Sequence, residues 1–273
     1  MKKIVILYSG GLDSFIMAKL AESKGYDVKL VHYDIGQEYN KKEDDAIHNL
    51  SKNVEIRKVD WLNVNNTTTN KNDNSGGNIF IPGRNLTLAL LVASTDLPDE
   101  IWMGGLKGED HDRATDKNQK FIDGTNELIK YVFSPYDTIP KLVFPLLERG
   151  WGKYEAVKWA YDNGVSKEDL MKTSSCLYKS EHKNCGRCMV CCRRYFIFKQ
   201  LGFEEEYETY PLDSKDNIEM VINVINDSRK AGKVHYNKQR QQEIIPGLFL
   251  EFKTHDLDKI LKILNDKLKN IDN

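Results

Sequence analysis

Apolar positions change period along the chain in a regular way. Residues 3–8 (KIVILY) are a short β-branched run, as expected of a strand buried on both faces of a parallel sheet. The segment from Ser14 (SFIMAKLAESKG) then places apolar residues at helical spacing and stops at Gly25. Residues 27–33 (DVKLVHY) predict a second strand, 41–52 a helix, and the alternating 54–59 (VEIRKV) a third strand. Arg84 to Ser94 reads as a helix, Glu100 to Met103 as a fourth strand and 117–131 as another helix. The stretch KLVFPLLERGWGKYEAVKWAYDNG adds a short strand, a loop and a helix closed by Gly164. Ser166 then caps a brief helix, with Asp169 at the capping-box position. Strands alternating with helices predict an α/β fold, a doubly wound parallel sheet.

Two stretches break this rhythm. Residues 63–78 (NVNNTTTNKNDNSGGN) are polar and low in complexity, so they add little to a core. They read as a surface loop, or as a lid, because FIPGRN follows at once. From Glu204 onward the α/β pattern fades. The last segment sets Leu257, Ile260, Leu261, Leu264, Leu268 and Ile271 on one helical face, which is expected to pack on the protein's own body, the alternative being a partner or dimer helix. The expected division is 1–165 for the α/β domain, 166–203 for a cysteine-bearing helical region and 204–273 for a helical extension.

The first strand–helix turn carries Ser9-Gly10-Gly11-Leu12-Asp13-Ser14. Adjacent glycines let backbone amides turn inward, and with the helix N-terminus behind them they form an anion nest. Ser9 and Ser14 add hydroxyls. Asp13 suits a phosphate site only if it handles Mg²⁺ or fixes the loop. No G-K-[ST] follows, so this is not the Walker sequence. In a doubly wound sheet the ligand lies at the carboxyl ends of the strands, which places His32 and Tyr33 near it.

Composition narrows the partners. The 273 residues hold 40 Lys and Arg against 41 Asp and Glu, a formal charge of −1. That argues against a protein that coats nucleic acid. The run Ile4 to Tyr8 is too short for a signal-peptide core, and the stretch Leu86 to Ala93 is too short to span a bilayer. The expectation is a cytoplasmic protein. All five cysteines lie between Cys176 and Cys192, and in a reducing compartment such clustering favours a metal or redox chemistry over disulfides. Cys185, Cys188 and Cys191 form consecutive C-x2-C units, and Cys176 closes the shell, as in a structural zinc site. Cys192 for Cys191, or His182 for one cysteine, remains open. A cycling disulfide and an iron–sulfur cluster are the alternatives. Arg187, Arg193 and Arg194 make the segment basic, either as a solvated face or, in an inactive module, as contacts to nucleic-acid phosphates.

The hexapeptide resembles the PP-loop of N-type ATP pyrophosphatases, which cleave ATP between the α and β phosphates. That likeness implies an adenine nucleotide alpha-hydrolase-like sheet. With His32-Tyr33, Phe80-Ile81-Pro82-Gly83-Arg84-Asn85, the Gly104–Phe121 loop, Trp151-Gly152-Lys153-x-Glu155 and the cysteines, the chain resembles the 7-cyano-7-deazaguanine synthase (QueC) family from about Lys3 to about Leu201. The resemblance implies ATP, Mg²⁺ and Zn²⁺, a 7-carboxy-7-deazaguanine substrate, ammonia, and a homodimer. It implies that Tyr8, Ser9, Gly10, Gly11, Leu12, Asp13 and Ser14 hold ATP. Lys153 is implied to face the phosphates, Arg84 and Asn85 to border the nucleotide or deazapurine, and Cys176, Cys185, Cys188 and Cys191 to hold zinc. Asp13, Ser14, Lys153 and Arg84 are the expected catalytic set.

The chain departs from the family after the fourth strand. Ala114-Thr115 stand in place of Tyr-Pro and Lys117-Asn118 in place of Cys-Arg, while Asp110, Asp116 and Phe121 fit. Losing an arginine that pairs with an anion changes recognition. This opens a second reading: a relative from antiphage operons that attaches a deazapurine to a protein or other macromolecule with the same ATP chemistry.

Overall fold

The computed structural model describes residues 1–36, 40–51, 53–59, 83–109, 115–177, 184–232 and 234–272. The expected lid at 63–78, the candidate ligand His182, and Asp110, Ala114 and Phe80-Ile81-Pro82 lie outside them. The described residues form two compact units, which divide between Ser174 and Ser175.

The first unit runs β1 (Lys3–Leu7), α1 (Leu12–Ser23), β2 (Asp27–Asp34), α2 (Asn40–Leu50), β3 (Val54–Lys58), α3 (Arg84–Asp96), β4 (Glu100–Trp102), α4 (Gln119–Val132), β5 (Lys141–Val143), α5 (Pro145–Glu148), α6 (Lys153–Asp162) and α7 (Lys167–Lys172). All strand pairs are parallel, in the order β3-β2-β1-β4-β5. Successive strand side chains point to opposite faces. Val5, Val31, Ile101 and Leu142 therefore share one core with Ala89 and Val92 of α3 and Ile122 and Ile129 of α4. Ile4 and Ile6 are wholly buried on the other face, where α1 lies against β1 and β2 and packs on α6. Burial on both faces is why β1 reads as an unbroken apolar run.

The chain winds outward from β1 to β3, then returns to β4 on the opposite flank of β1. That reversal opens a crevice at the carboxyl ends of β1 and β4. Each helix that follows a parallel strand starts at that edge, so the N-termini of α1, α3 and α6 all face it. Their positive dipole ends favour an anionic ligand there.

The second unit holds α8 (Met189–Gln200), a 3₁₀ turn (Pro211–Asp213), α9 (Lys215–Ser228), α10 (Lys238–Phe252) and α11 (Leu257–Asp272). The cysteine segment and the extension, separate stretches in the sequence, fold here around one core. Cys192 and Phe196 of α8 pack with Val221 and Val224 of α9, Ile244 of α10 and Ile260 of α11. Helices α8 and α10 touch almost backbone to backbone, because a Cβ on Gly247 would lie 2.7 Å from Phe196 O. Of the predicted apolar face on α11, Ile260 and Leu264 are fully buried and Leu257, Leu261 and Leu268 partly so, whereas Ile271 is exposed. Among the described residues no helix is long and apolar enough to cross a membrane.

The arginines of α8 correct the sequence reading. Arg193 Nε and Nη2 donate to Glu243 at 2.6 and 2.7 Å, and that carboxylate has no exposed surface. Arg194 is wholly buried, forks onto Glu205 and stacks 4.3 Å over the Phe198 ring. Burial works against its charge, but Glu205 more than offsets this and the guanidinium is held protonated. Neither arginine forms a solvated face or meets a nucleic-acid phosphate. Of the three, Arg187 alone is exposed, 3.7 Å from Glu208. Charge counting along a sequence misses this, because the partner carboxylates lie outside α8, on Glu205 and on Glu243 of α10.

Candidate active site and metal centre

The loop from Tyr8 to Ser14 closes on itself through its hydroxyls. Ser14 Oγ donates to Gly11 O at 3.1 Å and accepts from Ser9 N at 3.2 Å, while Gly11 N donates to Ser9 Oγ at 3.4 Å. Gly10 has φ +70, and a Cβ there would meet Ala46 Cβ at 3.0 Å and Glu43 O at 3.1 Å. Glycine is required both for that conformation and for the approach of α2. Ser174 N donates to Gly10 O at 2.9 Å, and Ser174 O would lie 3.2 Å from a Cβ on Gly11. The two glycines therefore serve packing as well as any anion.

Asp13 and Lys153 meet across the crevice. Lys153 opens α6 and is buried, with Nζ 3.3 Å from Asp13 Oδ1. Glu155 Oε2 accepts from Gly152 N at 2.9 Å, which fixes the start of that helix. Asp13 Oδ1 is buried and accepts no hydrogen bond, so the pair with Lys153 is one of charge proximity. Gly104, just past β4, lies beside Asp13: a Cβ there would be 3.6 Å from Asp13 Cβ. At Gly105 a Cβ would be 2.3 Å from Phe144, so no side chain fits. Lys107 N donates to Trp151 O at 2.9 Å and ties this loop to the start of α6.

His32 and Tyr33 part company. His32 is buried, its Nδ1 3.0 Å from Tyr8 O and its Nε2 3.9 Å from Asp44 of α2, so it braces the loop from behind. Tyr33 points to the opposite face, where its hydroxyl accepts from Arg57 Nη1 at 3.0 Å in a network with Asp96. Its side chain is occupied at the β2–β3–α3 junction. The Tyr8 side chain is also buried, and burial pushes its hydroxyl pKa up.

Arg84 and Asn85 form the first turn of α3, behind a left-handed Gly83. Asn85 Nδ2 donates to Asp116 O at 3.2 Å and Arg84 Nε to Asn85 Oδ1 at 3.3 Å. They thereby brace the loop after β4. In that loop Asn118 Oδ1 accepts from Phe121 N at 3.0 Å and caps α4, and Phe121 packs edge-on against Phe144. Lys117 Nζ lies 3.6 Å from Glu109.

In the second unit, Cys176, Cys185, Cys188 and Cys191 are all buried and their sulfurs lie within 4.8 Å of one another. The Cys185–Cys191 sulfur distance is 3.9 Å, and none of the five cysteines is in a disulfide. A tetrahedral ion with metal–sulfur bonds of about 2.3 Å needs sulfur edges of roughly 3.8 Å, so the donors fit such an ion. Cys185 Sγ accepts from Arg187 N at 3.3 Å and Cys188 N at 3.4 Å, and Cys188 Sγ from Cys191 N at 3.3 Å. Cys192 is a core residue, and burial alone pushes its thiol pKa up.

Gly186 stands in the knuckle at φ +72, where a Cβ would lie 1.7 Å from Thr209 O. Gly186→Ala is expected to destabilise the unit by about 3 kcal/mol or more, because backbone is what must move. A urea midpoint within error of wild type would show that Thr209 does not sit there.

A family model, "Queuosine biosynthesis protein QueC", matches residues 3–202. The chain belongs to the QueC family. It is 27% identical to a 7-cyano-7-deazaguanine synthase of Marinomonas sp. (strain MWYL1), over 76% of this chain and 99% of that protein. A protein of the same name from Campylobacter curvus (strain 525.92) is 29% identical over 76% and 97%, and one from Campylobacter hominis 30% over 72% and 94%. The QueC match ends at the close of α8, so α9, α10 and α11 lie beyond it. Ser174, Asp44 and Thr209 escaped the sequence reading. Each acts through its backbone, or from an element whose approach only the fold shows.

Proposed function

We propose that this chain is an ATP-dependent, AMP-forming synthase that converts 7-carboxy-7-deazaguanine and ammonia to 7-cyano-7-deazaguanine. Its QueC membership and the Asp13–Lys153 pair among converging helix N-termini support the reading. A carboxylate oxygen is a poor leaving group. Its attack on the α-phosphate expels pyrophosphate and gives an acyl adenylate. Ammonia displaces AMP and loses a proton, leaving the amide. The amide oxygen attacks a second ATP, again expelling pyrophosphate. Loss of AMP and of both nitrogen protons then forms the C≡N bond.

Lys153 and the amides of the Tyr8–Ser14 loop offset charge on the departing pyrophosphate. Ser9 and Ser14 hold that loop in shape. The Asp13 carboxylate, part-exposed beside Lys153, would take the Mg²⁺ that accompanies the nucleotide. Arg84 and Asn85 border the substrate from the start of α3. The four cysteines hold Zn²⁺ as a closed structural site, with no open position for catalysis. Cytoplasmic synthesis follows from this reading. Mass spectrometry of a reaction with ATP, Mg²⁺, ammonium and 7-carboxy-7-deazaguanine tests it. The nitrile and two AMP per product are expected, and an absence of AMP overturns it.

One observation favours the defence-type reading. Asn118 Oδ1 caps α4, which leaves only a neutral amide donor where the family carries a guanidinium charge. An amide product, or a deazapurine attached to a protein, would favour that relative.

The homodimer reading has a candidate face. Gly124, Leu128, Tyr131 and Val132 line one side of α4, with Tyr131 82% exposed and nothing near a Cβ on Gly124. A mid-helix glycine costs roughly 1 kcal/mol, which a close second helix offsets. Sedimentation should show a dimer that Tyr131→Lys splits, and an unchanged dimer excludes this face.

A further inference from the structure

Four consecutive carbonyls of the cysteine knuckle accept hydrogen bonds from residues beyond the QueC match. Glu208 N donates to Asn184 O at 3.0 Å and Thr209 N to Cys185 O at 3.2 Å. Asn217 Nδ2 donates to Gly186 O at 2.7 Å, and Ser214 Oγ to Arg187 O at 3.1 Å. All four donors lie after residue 202, where the family match stops.

The last two bonds act on particular peptide planes. The peptide joining Gly186 to Arg187 carries Gly186 O at one end and Arg187 N at the other. Arg187 N donates to Cys185 Sγ. The next peptide carries Arg187 O and Cys188 N, and Cys188 N donates to the same sulfur. Because a peptide unit is planar, holding its oxygen aims its N–H. A hydrogen bond at the carbonyl also polarises the amide and strengthens the N–H as a donor.

Two details suit this role. Ser214 occupies the N-cap position of α9, yet its hydroxyl makes no cap bond and goes to Arg187 O. Asn217 is fully buried with its Oδ1 unbonded, so its two donor bonds, to Gly186 O and Pro211 O, are what the structure uses.

We propose that the C-terminal extension is the outer shell of the metal centre: Asn217 and Ser214 are positioning residues that aim two amides at Cys185 Sγ. The extension thereby sets the donor strength of one thiolate and the rate of metal release. Outer-shell partners of metal ligands are commonly worth about 10- to 100-fold in affinity. The inference rests on reading the four cysteines as a zinc site. Zinc content of the wild-type protein, measured first, tests that reading on its own.

The experiment is zinc transfer from the full-length protein to a chromogenic chelator, with the thiolate-to-metal absorption of the cobalt-substituted protein as a second readout. Ser214→Ala loses one exposed-edge bond and no cap, so it should fold. It is expected to speed release by about 2- to 10-fold and shift the cobalt band, and Ser214→Thr should restore both. Asn217→Ala should have the larger effect, about 10- to 100-fold. Leu264→Ala, which loosens the core of α11 away from the knuckle, controls for general destabilisation. Wild-type release and an unshifted band in Ser214→Ala overturn the proposal. Equal acceleration in Leu264→Ala, or failure of Ser214→Thr to restore the band, does so as well.

Discussion

Asp13→Ala is expected to abolish AMP formation, and Lys153→Met to lower it by about 10²- to 10³-fold, with the fold of the first unit intact. The magnitude follows from what one preorganised charge is worth against a developing anion. Lys153 is buried, opens α6 and lies 3.3 Å from Asp13, so its ammonium is fixed before any nucleotide arrives. Asp13 sits in the first turn of α1, at the positive end of that helix dipole. Removing it also takes a carboxylate from beside a buried ammonium, so some loss of stability accompanies the loss of turnover. Pyrophosphate release and AMP formation, followed beside circular dichroism, separate the two effects. Turnover within tenfold of wild type in a folded Asp13→Ala protein would remove the loop from the mechanism.

Cys188→Ala is expected to lower zinc from about one per chain to nearly none, and to remove the cooperative unfolding of the second unit. Cys188 both belongs to the four-sulfur cluster and caps α8, its Sγ accepting from Cys191 N. Structural zinc sites bind with about 10–16 kcal/mol in small domains, which is comparable to the whole stability of a typical domain. The core of this unit includes Cys192 and Phe196, on the helix that carries Cys191. Loss of the ion should therefore loosen α9, α10 and α11, far beyond the knuckle. Elemental analysis with a thermal scan decides the matter. Iron in the freshly purified protein, or an unchanged melting transition in the variant, would contradict the zinc reading.

The ladder of strands and helices, the tight glycine turn after β1 and the four-cysteine set were all legible from local pattern. Buried parallel strands need apolar runs, a left-handed turn such as that at Gly10 needs glycine, and tetrahedral sulfur sites need paired short spacings. Such requirements act over a few residues, and they leave a mark in the sequence. The pairing of Asp13 with Lys153, by contrast, joins residues far apart in the chain, at a crevice that exists only because the strand order reverses beside β1. The same holds for Tyr33, whose face of β2 turns it to Arg57, and for Arg193 and Arg194, whose carboxylates arrive from α10 and from Glu205. Long-range partners depend on which backbone faces meet, and no local rule encodes that. The extension is the clearest case: as sequence it is an unassigned tail, and as structure it supplies hydrogen bonds to the cysteine knuckle.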